Sequence, residues 1–210
     1  MSVVIDWLFP RKCFGCGKIG CYFCDKCQEE TRKDKRGIER EKKNTEGVVR
    51  LFGFDGIIRE AIHTIKYEMV TDAVDELVEI SVREMEAGFP NLVDYWQRKQ
   101  VMVVPIPLHW QRENWRGFNQ VELIGRKLIE SLKLRYDKIL VRRTNNKPQA
   151  NFVDKIREKS KIEFEIVGQT VGIGEVVLFD DVITSGRTME QASKPLVARG
   201  IKVWWWSLAG

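Results

Sequence analysis

The sequence predicts an α/β protein, in which helices flank a parallel sheet, with a small cysteine-rich module at the N-terminus. Four apolar runs typical of strands recur along the chain, at 48–54, 101–108, 175–182 and 201–209. Segments with helical character separate them, and strands that alternate with helices build a parallel sheet with crossover connections. All five cysteines fall between residues 13 and 27, ahead of the first apolar run.

Helical spacing and capping residues locate the helices. A first helix is predicted over 56–67, and a second runs from a cap at Thr71 or Asp72 to about Ala87, before Gly88. Two more are predicted at about 119–132 and 189–198. In the last strand, Trp205 is expected on the face opposite Trp204 and Trp206, because side chains alternate along a strand.

Length and composition indicate one main domain with an appendage. The 210 residues are 43% hydrophobic, enough for one substantial core. We place a boundary near residue 45, with the cysteine module and a charged connector in 1–45 and the main domain in 46–210. The net charge of +5 favours anionic partners such as phosphate or nucleic acid. No run approaches the roughly 18 apolar residues of a membrane span, so neither a span nor a signal peptide is predicted.

The cysteine spacing predicts a metal site in a cytoplasmic protein, because a disulfide framework would be spread over a secreted fold. Cys13-x2-Cys16 is one knuckle, and either Cys24-x2-Cys27 or Cys21-x2-Cys24 supplies the second. Four thiolates are typical of structural zinc. An iron–sulfur cluster is the alternative, since Cys21, Cys24 and Cys27 share the ferredoxin spacing, but no fourth cysteine followed by proline completes that motif.

The segment Val176–Thr188 has the features of a phosphate and ribose site. Two acids, Asp180 and Asp181, stand at what we expect to be an exposed strand end, where they could hold ribose hydroxyls directly or through hydrated magnesium. A glycine-centred loop then opens a helix, and its backbone N–H groups would bind a phosphate. The loop residues assigned to this role are Thr184, Ser185, Gly186, Arg187 and Thr188.

At every position this segment resembles the phosphoribosyl diphosphate signature of type I phosphoribosyltransferases. The resemblance extends along the chain through three further segments, 61–67, 103–120 with its RGFNQ string at 116–120, and 142–164. Their order is that of the ComF competence family, which also begins with a cysteine-rich zinc module. The resemblance implies a type I phosphoribosyltransferase-like sheet flanked by helices, and it selects as zinc ligands Cys13, Cys16, Cys24 and Cys27.

The same resemblance suggests further site residues. Lys66, Arg112 and Arg116 are carried over as candidates for the diphosphate, and Gln149 and Arg157 match a segment similar to the mobile hood of phosphoribosyltransferases. Purine-salvage relatives place an aspartate at position 184 that can accept a proton. Thr184 cannot act as a base near neutral pH, so classical purine salvage is disfavoured.

The resemblance implies a role in natural transformation, acting with a competence helicase on incoming single-stranded DNA. Three functions stay open: a protein of DNA uptake that binds phosphoribosyl diphosphate or a nucleotide with magnesium, an active phosphoribosyltransferase with an unknown acceptor, and a zinc-dependent interaction module without turnover. Aromatic and cationic residues mixed in the 110–118 loop could bind single-stranded DNA by stacking and phosphate contact.

Overall fold

The computed structural model describes residues 10–31, 38–39, 43–108, 119–143 and 163–210. The helices are α1 (Asp25–Thr31), α2 (Gly56–Tyr67), α3 (Ala73–Gly88), α4 (Pro90–Arg98), α5 (Gln120–Ser131) and α6 (Arg187–Val197). The strands are β1 (Gly47–Phe52), β2 (Met102–Pro105), β3 (Arg135–Tyr136), β4 (Leu140–Arg142), β5 (Phe164–Ile166), β6 (Glu175–Val182) and β7 (Lys202–Ala209). Among these helices, none is both long and apolar enough to cross a membrane.

Five strands form one sheet in the order β1-β7-β6-β2-β3, and every neighbouring pair is parallel. Strands β4 and β5 pair antiparallel in a separate ribbon. The predicted fold class, a parallel sheet flanked by helices with an N-terminal cysteine module, is therefore confirmed.

Alternating side chains of β6 divide the core into two layers. Val177 and Phe179 face the layer that contains the buried sides of α2, α3, α4 and α5, together with the cysteine module. Val176 and Leu178 face the other layer, where α6 and the β4–β5 ribbon pack. Because the two layers share one sheet, each strand needs apolar residues on both faces, which explains the continuous apolar runs in the sequence.

The last strand follows the predicted alternation. Trp205 is buried in the α6 layer, whereas Trp204 and Trp206 belong to the opposite layer. The indole nitrogen of Trp205 donates a hydrogen bond to Ser193 Oγ on α6 at 2.8 Å. The prediction that Trp205 faces away from its two neighbours is confirmed.

Helix α4 was not predicted from the sequence. Pro90 opens it, and Leu92, Val93 and Trp96 are its buried residues. The ring of Trp96 lies 6.2 Å from that of Trp204 and 5.9 Å from that of Trp206. A nine-residue helix with only three buried positions has too short a pattern to be recognised, and its stability comes from this aromatic packing.

The cysteine module packs directly on the main domain. Its buried residues, among them Phe23 and Cys27, join the same apolar layer as α2 and α3. On α3, Glu76 Oε2 accepts hydrogen bonds from the backbone N–H groups of Tyr22 and Phe23 at 2.8 and 2.9 Å. Asp72 precedes α3 but forms no side-chain cap; its Oδ2 accepts a hydrogen bond from the Tyr22 hydroxyl at 2.6 Å. The proposed boundary near residue 45 stays a prediction.

Candidate functional site

The acidic pair lies where the parallel strands end together. In register, Val182 of β6 is opposite Ala209 of β7, and Ala209 is opposite Phe52 of β1. The carboxyl ends of these strands therefore form one edge of the sheet. Ligand sites of open parallel sheets lie at this edge, because helix N-termini and the loops that follow the strands converge there.

Asp181 is buried rather than exposed, with 4% of its surface accessible. Its Oδ2 lies 2.7 Å from the Lys66 ammonium nitrogen of α2 and accepts a hydrogen bond from Gln120 Nε2 of α5 at 3.2 Å. The expectation of an exposed strand end is wrong for this residue. Asp181 lies on the same face of β6 as Phe179, and α2 and α5 cover that face.

Asp180 points to the other face and is half-buried. Its Oδ1 accepts a hydrogen bond from the backbone N–H of Asp181 at 2.9 Å. Burial and the adjacent Asp181 carboxylate raise the pKa of Asp180 to about 8, although Lys66 acts in the opposite direction. The hydrogen bond from Asp181 and the Lys66 charge therefore do not offset the burial and the neighbouring carboxylate, and a bound cation or hydroxyl donors would stabilise the charged form further.

The loop after β6 enters helix α6 through a left-handed glycine. Gly186 has φ 76° and precedes the first residue of α6. Thr184 and Ser185 are exposed, and Ile183 is anchored by a hydrogen bond from its N–H to the carbonyl oxygen of Ala209 at 2.9 Å. A Cβ at Gly186 would lie 3.1 Å from the Trp205 ring, so both conformation and space favour glycine. The first N–H groups of α6 have no partner within the helix and face this loop.

Arg187 and Thr188 are the first two residues of α6. Arg187 is exposed, with its N–H donating to Ser185 Oγ at 3.4 Å, and Thr188 is half-buried. The structure thus brings the acidic pair, the hydroxyl-bearing loop and Lys66 to one edge of the sheet.

Gln120 is a site residue that the sequence reasoning did not select. It is 2% exposed and is the first residue of α5, where Asn119 Oδ1 accepts a hydrogen bond from the N–H of Val121 at 3.1 Å. Gly125 lets α5 approach the sheet, since a Cβ there would lie 2.9 Å from the Phe179 ring. Gln120 is the last letter of the RGFNQ string, and that string was the signal available.

Four candidates lie outside the described residues: Arg112, Arg116, Gln149 and Arg157. The segment with the last two is framed by β4 and β5, which bring Arg143 and Glu163 together through a hydrogen bond from the N–H of Arg143 to the carbonyl oxygen of Glu163 at 3.0 Å. The roles of these four residues stay predictions.

The four predicted metal ligands lie close together. The sulfur atoms of Cys13, Cys16, Cys24 and Cys27 all lie within 4.8 Å of one another, and Cys16 Sγ is 3.6 Å from Cys24 Sγ. Zn–S bonds of about 2.3 Å in a tetrahedron place sulfur atoms roughly 3.8 Å apart. The cluster therefore fits a metal ion such as zinc. Cys21 does not belong to it, so the alternative second knuckle is not the one that forms.

Hydrogen bonds to sulfur favour the thiolate form of Cys13, the form that binds a metal. Burial acts to raise the pKa of Cys13, but N–H groups of Cys24, Cys16 and Gly15 and the thiol of Cys24 lower it to about 6. Burial and the three neighbouring thiols raise the pKa of Cys27. Without a metal, the four sulfur atoms cannot all be ionised, whereas a divalent cation stabilises all four thiolates at once.

Sequence comparisons relate the chain to proteins named for DNA utilization and for competence. No family model matches the chain. The DNA utilization protein YhgH of Escherichia coli O6:H1 is 30% identical over 112 residues, which cover 49% of this chain and 47% of that protein. The competence protein ComFC of Bacillus subtilis is 33% identical over 150 residues, which cover 71% of this chain and 58% of that protein. The chain spans about half the length of these relatives.

Among solved structures, adenine phosphoribosyl transferase from Trypanosoma brucei, in complex with AMP, pyrophosphate and ribose-5-phosphate, matches with a TM-score of 0.41 and 12% sequence identity. The match covers 83% of this chain and 86% of that one. The order of the motifs, the cluster of four cysteines and the similarity to ComFC identify the chain as a member of the ComF competence family.

Proposed function

We propose that the chain binds phosphoribosyl diphosphate or a related nucleotide, with the ribose at Asp180 and the 5-phosphate at residues 184–188. The observation that carries this proposal is the left-handed Gly186, which immediately precedes α6 and follows, across a short loop, an acidic pair near the end of β6. A phosphate monoester fits such a loop because helix N-terminal N–H groups, the helix dipole and two exposed hydroxyls all favour an anion.

We assign different roles to the two acids: Asp180 binds the ribose, and Asp181 positions Lys66. Asp180 is half-buried and has a raised pKa, so ribose hydroxyls or hydrated magnesium would stabilise its charged form. Asp181 is already bound by Lys66 and Gln120, and it acts mainly by fixing the position of the Lys66 ammonium group. Magnesium, when bound, supplies positive charge that neutralises diphosphate oxygens.

Lys66 is the described cation closest to the acidic pair, and we assign it to the diphosphate. Arg112 and Arg116 are further candidates because they follow β2 in the sequence, and β2 runs parallel to β6, so its carboxyl end lies at the same edge of the sheet. Gln149 and Arg157 are proposed to cover the ligand.

Calorimetric titration with phosphoribosyl diphosphate, with and without magnesium, tests the binding. We expect wild-type protein to bind in magnesium and Asp180→Asn to bind at least tenfold more weakly. Asp94→Asn is the matched control, because Asp94 is an exposed acid on α4. Wild-type protein that binds neither phosphoribosyl diphosphate nor ribose 5-phosphate would overturn the proposal.

Turnover is a separate question. Thr184 offers no proton acceptor where purine-salvage enzymes have one, so the favoured function is binding without purine salvage. The alternative is an active phosphoribosyltransferase for another nucleophile, in which Lys66 and magnesium stabilise the departing diphosphate. An assay for released diphosphate over a panel of nucleobases distinguishes the two.

We further propose that this binding serves uptake of single-stranded DNA in the cytoplasm, together with a competence helicase. The support is the similarity to proteins named for competence and DNA utilization. Anisotropy titrations of a labelled oligonucleotide at several salt concentrations test direct DNA binding. If Arg116 contacts the DNA backbone, Arg116→Ala lowers the salt slope by about one unit.

A further inference from the structure

A buried arginine lies on the same face of the sheet as Asp180. Arg50 of β1 is opposite Ser207 of β7 in the strand register, and Ser207 is opposite Asp180 of β6. Val48, two residues before Arg50, packs in the α6 layer, so Arg50 faces that layer as well. Arg50 is 4% exposed. A cation is therefore buried at the level of the ribose acid, two strands away from it.

The head of the Arg50 side chain lies at the base of the loop that precedes α6. A Cβ at Gly210 would clash with the carbonyl oxygen of Ile183 and lie 2.9 Å from Arg50 Nε, so both atoms border the same point. The N–H of Ile183 donates a hydrogen bond to the carbonyl oxygen of Ala209 at 2.9 Å, which fixes this end of the loop. Thr184, the first residue of the proposed phosphate site, follows directly.

The guanidinium group of Arg50 is incompletely paired. Its Nη1 lies 2.6 Å from Oε1 of Glu39, whose side chain is 44% exposed. The contact is an ion pair without hydrogen-bond geometry, and within the part of the chain that the structure describes, Nε has no hydrogen-bond partner either. Buried donors without partners are unfavourable, and arginine has five of them. A further anion near Arg50 would therefore be stabilising.

Glu39 lies on the side of Arg50 that faces away from the loop. Two backbone hydrogen bonds between Glu39 and Val48, at 2.8 and 3.0 Å, hold this connector residue against the outer edge of β1. The strand order places β7, and then β6 with its loop, on the other side of β1. The ion pair is therefore oriented, with its cation toward the loop and its carboxylate away from it.

We propose that Arg50 is a positioning residue of the phosphate site, whose positive charge beneath the loop favours the 5-phosphate, and that Glu39 weakens this charge. The inference rests on the proposed phosphoribosyl site and deepens it, because it makes phosphate affinity depend on a residue of the connector. A buried charge is screened less than an exposed one, so it acts on the loop without touching the ligand.

Calorimetric titrations with ribose 5-phosphate, and separately with inorganic phosphate, compare wild type with Arg50→Met, Arg50→Lys and Glu39→Gln. Asp94→Asn is the matched control for Glu39→Gln, because it also converts the acid of an ion pair to its amide, but on α4. Urea unfolding of the same proteins measures their stability without ligand.

We expect Glu39→Gln to bind both probes about threefold more tightly than wild type and Arg50→Met to bind them about fivefold more weakly, as one buried charge at this range allows. Arg50→Lys should keep most of the affinity, because it keeps the charge. Glu39→Gln should nevertheless be less stable than wild type without ligand, since it leaves a buried guanidinium without its carboxylate. Asp94→Asn should bind both probes as wild type does.

A purely structural ion pair would give the opposite sign for one variant, because its loss would lower stability and affinity together. Unchanged or weaker binding by Glu39→Gln would therefore overturn the proposal, and so would wild-type affinity in Arg50→Met. Glu39→Gln decides the matter if Arg50→Met does not fold, since Glu39 is a half-exposed residue.

Failure of the proposed function gives a different result. If the variants change inorganic phosphate binding as expected but ribose 5-phosphate binds no more tightly than inorganic phosphate, the role of Arg50 stands and the phosphoribosyl assignment falls. If wild type binds ribose 5-phosphate and the variants do not differ from it, the reverse holds. If wild type binds neither probe, both proposals are wrong.

Discussion

Lys66 and Asp181 form an ion pair of 2.7 Å beneath the carboxyl edge of the sheet, with the Asp181 side chain 5% exposed and that of Lys66 19% exposed. The pair joins α2 to β6, and Gln120 adds a link from α5 to the same carboxylate oxygen. One buried carboxylate thus fixes the relative positions of two helices and a strand. The cation that we assign to diphosphate is held in place before any ligand arrives, which lowers the ordering cost of binding.

Replacing Lys66 by methionine should destabilise the protein by about 3 kcal/mol, at the low end for breaking a buried ion pair because Lys66 is partly exposed. The physical reason is the desolvated Asp181 charge, which loses its ammonium partner while the weaker hydrogen bond from Gln120 stays. Urea unfolding measures the change.

Two comparisons make that result specific. Arg98→Met removes an ion pair with Asp94 in which both side chains are more than half exposed, and it should cost less than about 1 kcal/mol. The double variant Lys66→Met/Asp181→Asn should be more stable than Lys66→Met alone, because no charge is left buried. A double variant less stable than the single one would contradict the ion-pair explanation.

Most of the sheet, and the placement of the acidic pair and the Gly186 loop between a strand and a helix, could be predicted from the sequence. The strand 175–182 and the helix 56–67 have the predicted bounds, because apolar runs and helical spacing report burial directly. The loop around Gly186 could be predicted because a left-handed turn at a helix start favours glycine.

The environment of each acid could not be predicted in this way. Alternation along β6 places Asp180 and Asp181 on opposite faces, but which face is covered depends on where α2 and α5 pack, and that is a tertiary property. For the same reason Gln120 was missed, since a polar residue at a helix start is usually a solvated cap. Helix α4 was missed because its stability depends on contacts with Trp204 and Trp206.

We expect about one zinc ion per chain after mild purification, and Cys13→Ser should lose it, because a closed tetrahedral site needs all four thiolates. Loss of the metal should also lower the melting temperature, since Cys13, Cys24 and Cys27 belong to the same buried layer as α2 and α3. Metal analysis and thermal unfolding measure the two effects.

Cys21→Ser is the matched control for that prediction, because Cys21 lies in the same module but outside the cluster of four sulfur atoms. It should keep the zinc and melt close to wild type. Visible absorption typical of an iron–sulfur cluster in anaerobically prepared protein would instead favour the alternative metal centre.

Gly186→Ala should destabilise the protein by about 2 kcal/mol, because a non-glycine residue in the left-handed region costs roughly 1–2 kcal/mol and its Cβ would press on Trp205. Affinity for ribose 5-phosphate should fall as well, since the loop must shift. Gly88→Ala is the control: a Cβ at Gly88 meets no neighbouring atom, and alanine at a helix end should be neutral or stabilising by under about 1 kcal/mol. Equal stability of the two variants would remove the conformational role of Gly186.

The raised pKa of Asp180 predicts how stability depends on pH in magnesium-free buffer. The folded protein holds the Asp180 proton up to about pH 8, whereas the unfolded chain releases it near pH 4, so over that window the folded state binds more protons than the unfolded state. Stability attributable to this group therefore falls as the pH rises from 4 to 8.

Asp180→Asn removes this titration. The unfolding free energy of the variant minus that of wild type should therefore increase between pH 4 and pH 8. Urea unfolding at four or five pH values measures it, with Asp94→Asn, which replaces an exposed acid on α4, as the control. A difference independent of pH would mean that Asp180 is ionised throughout, as a solvated carboxylate would be.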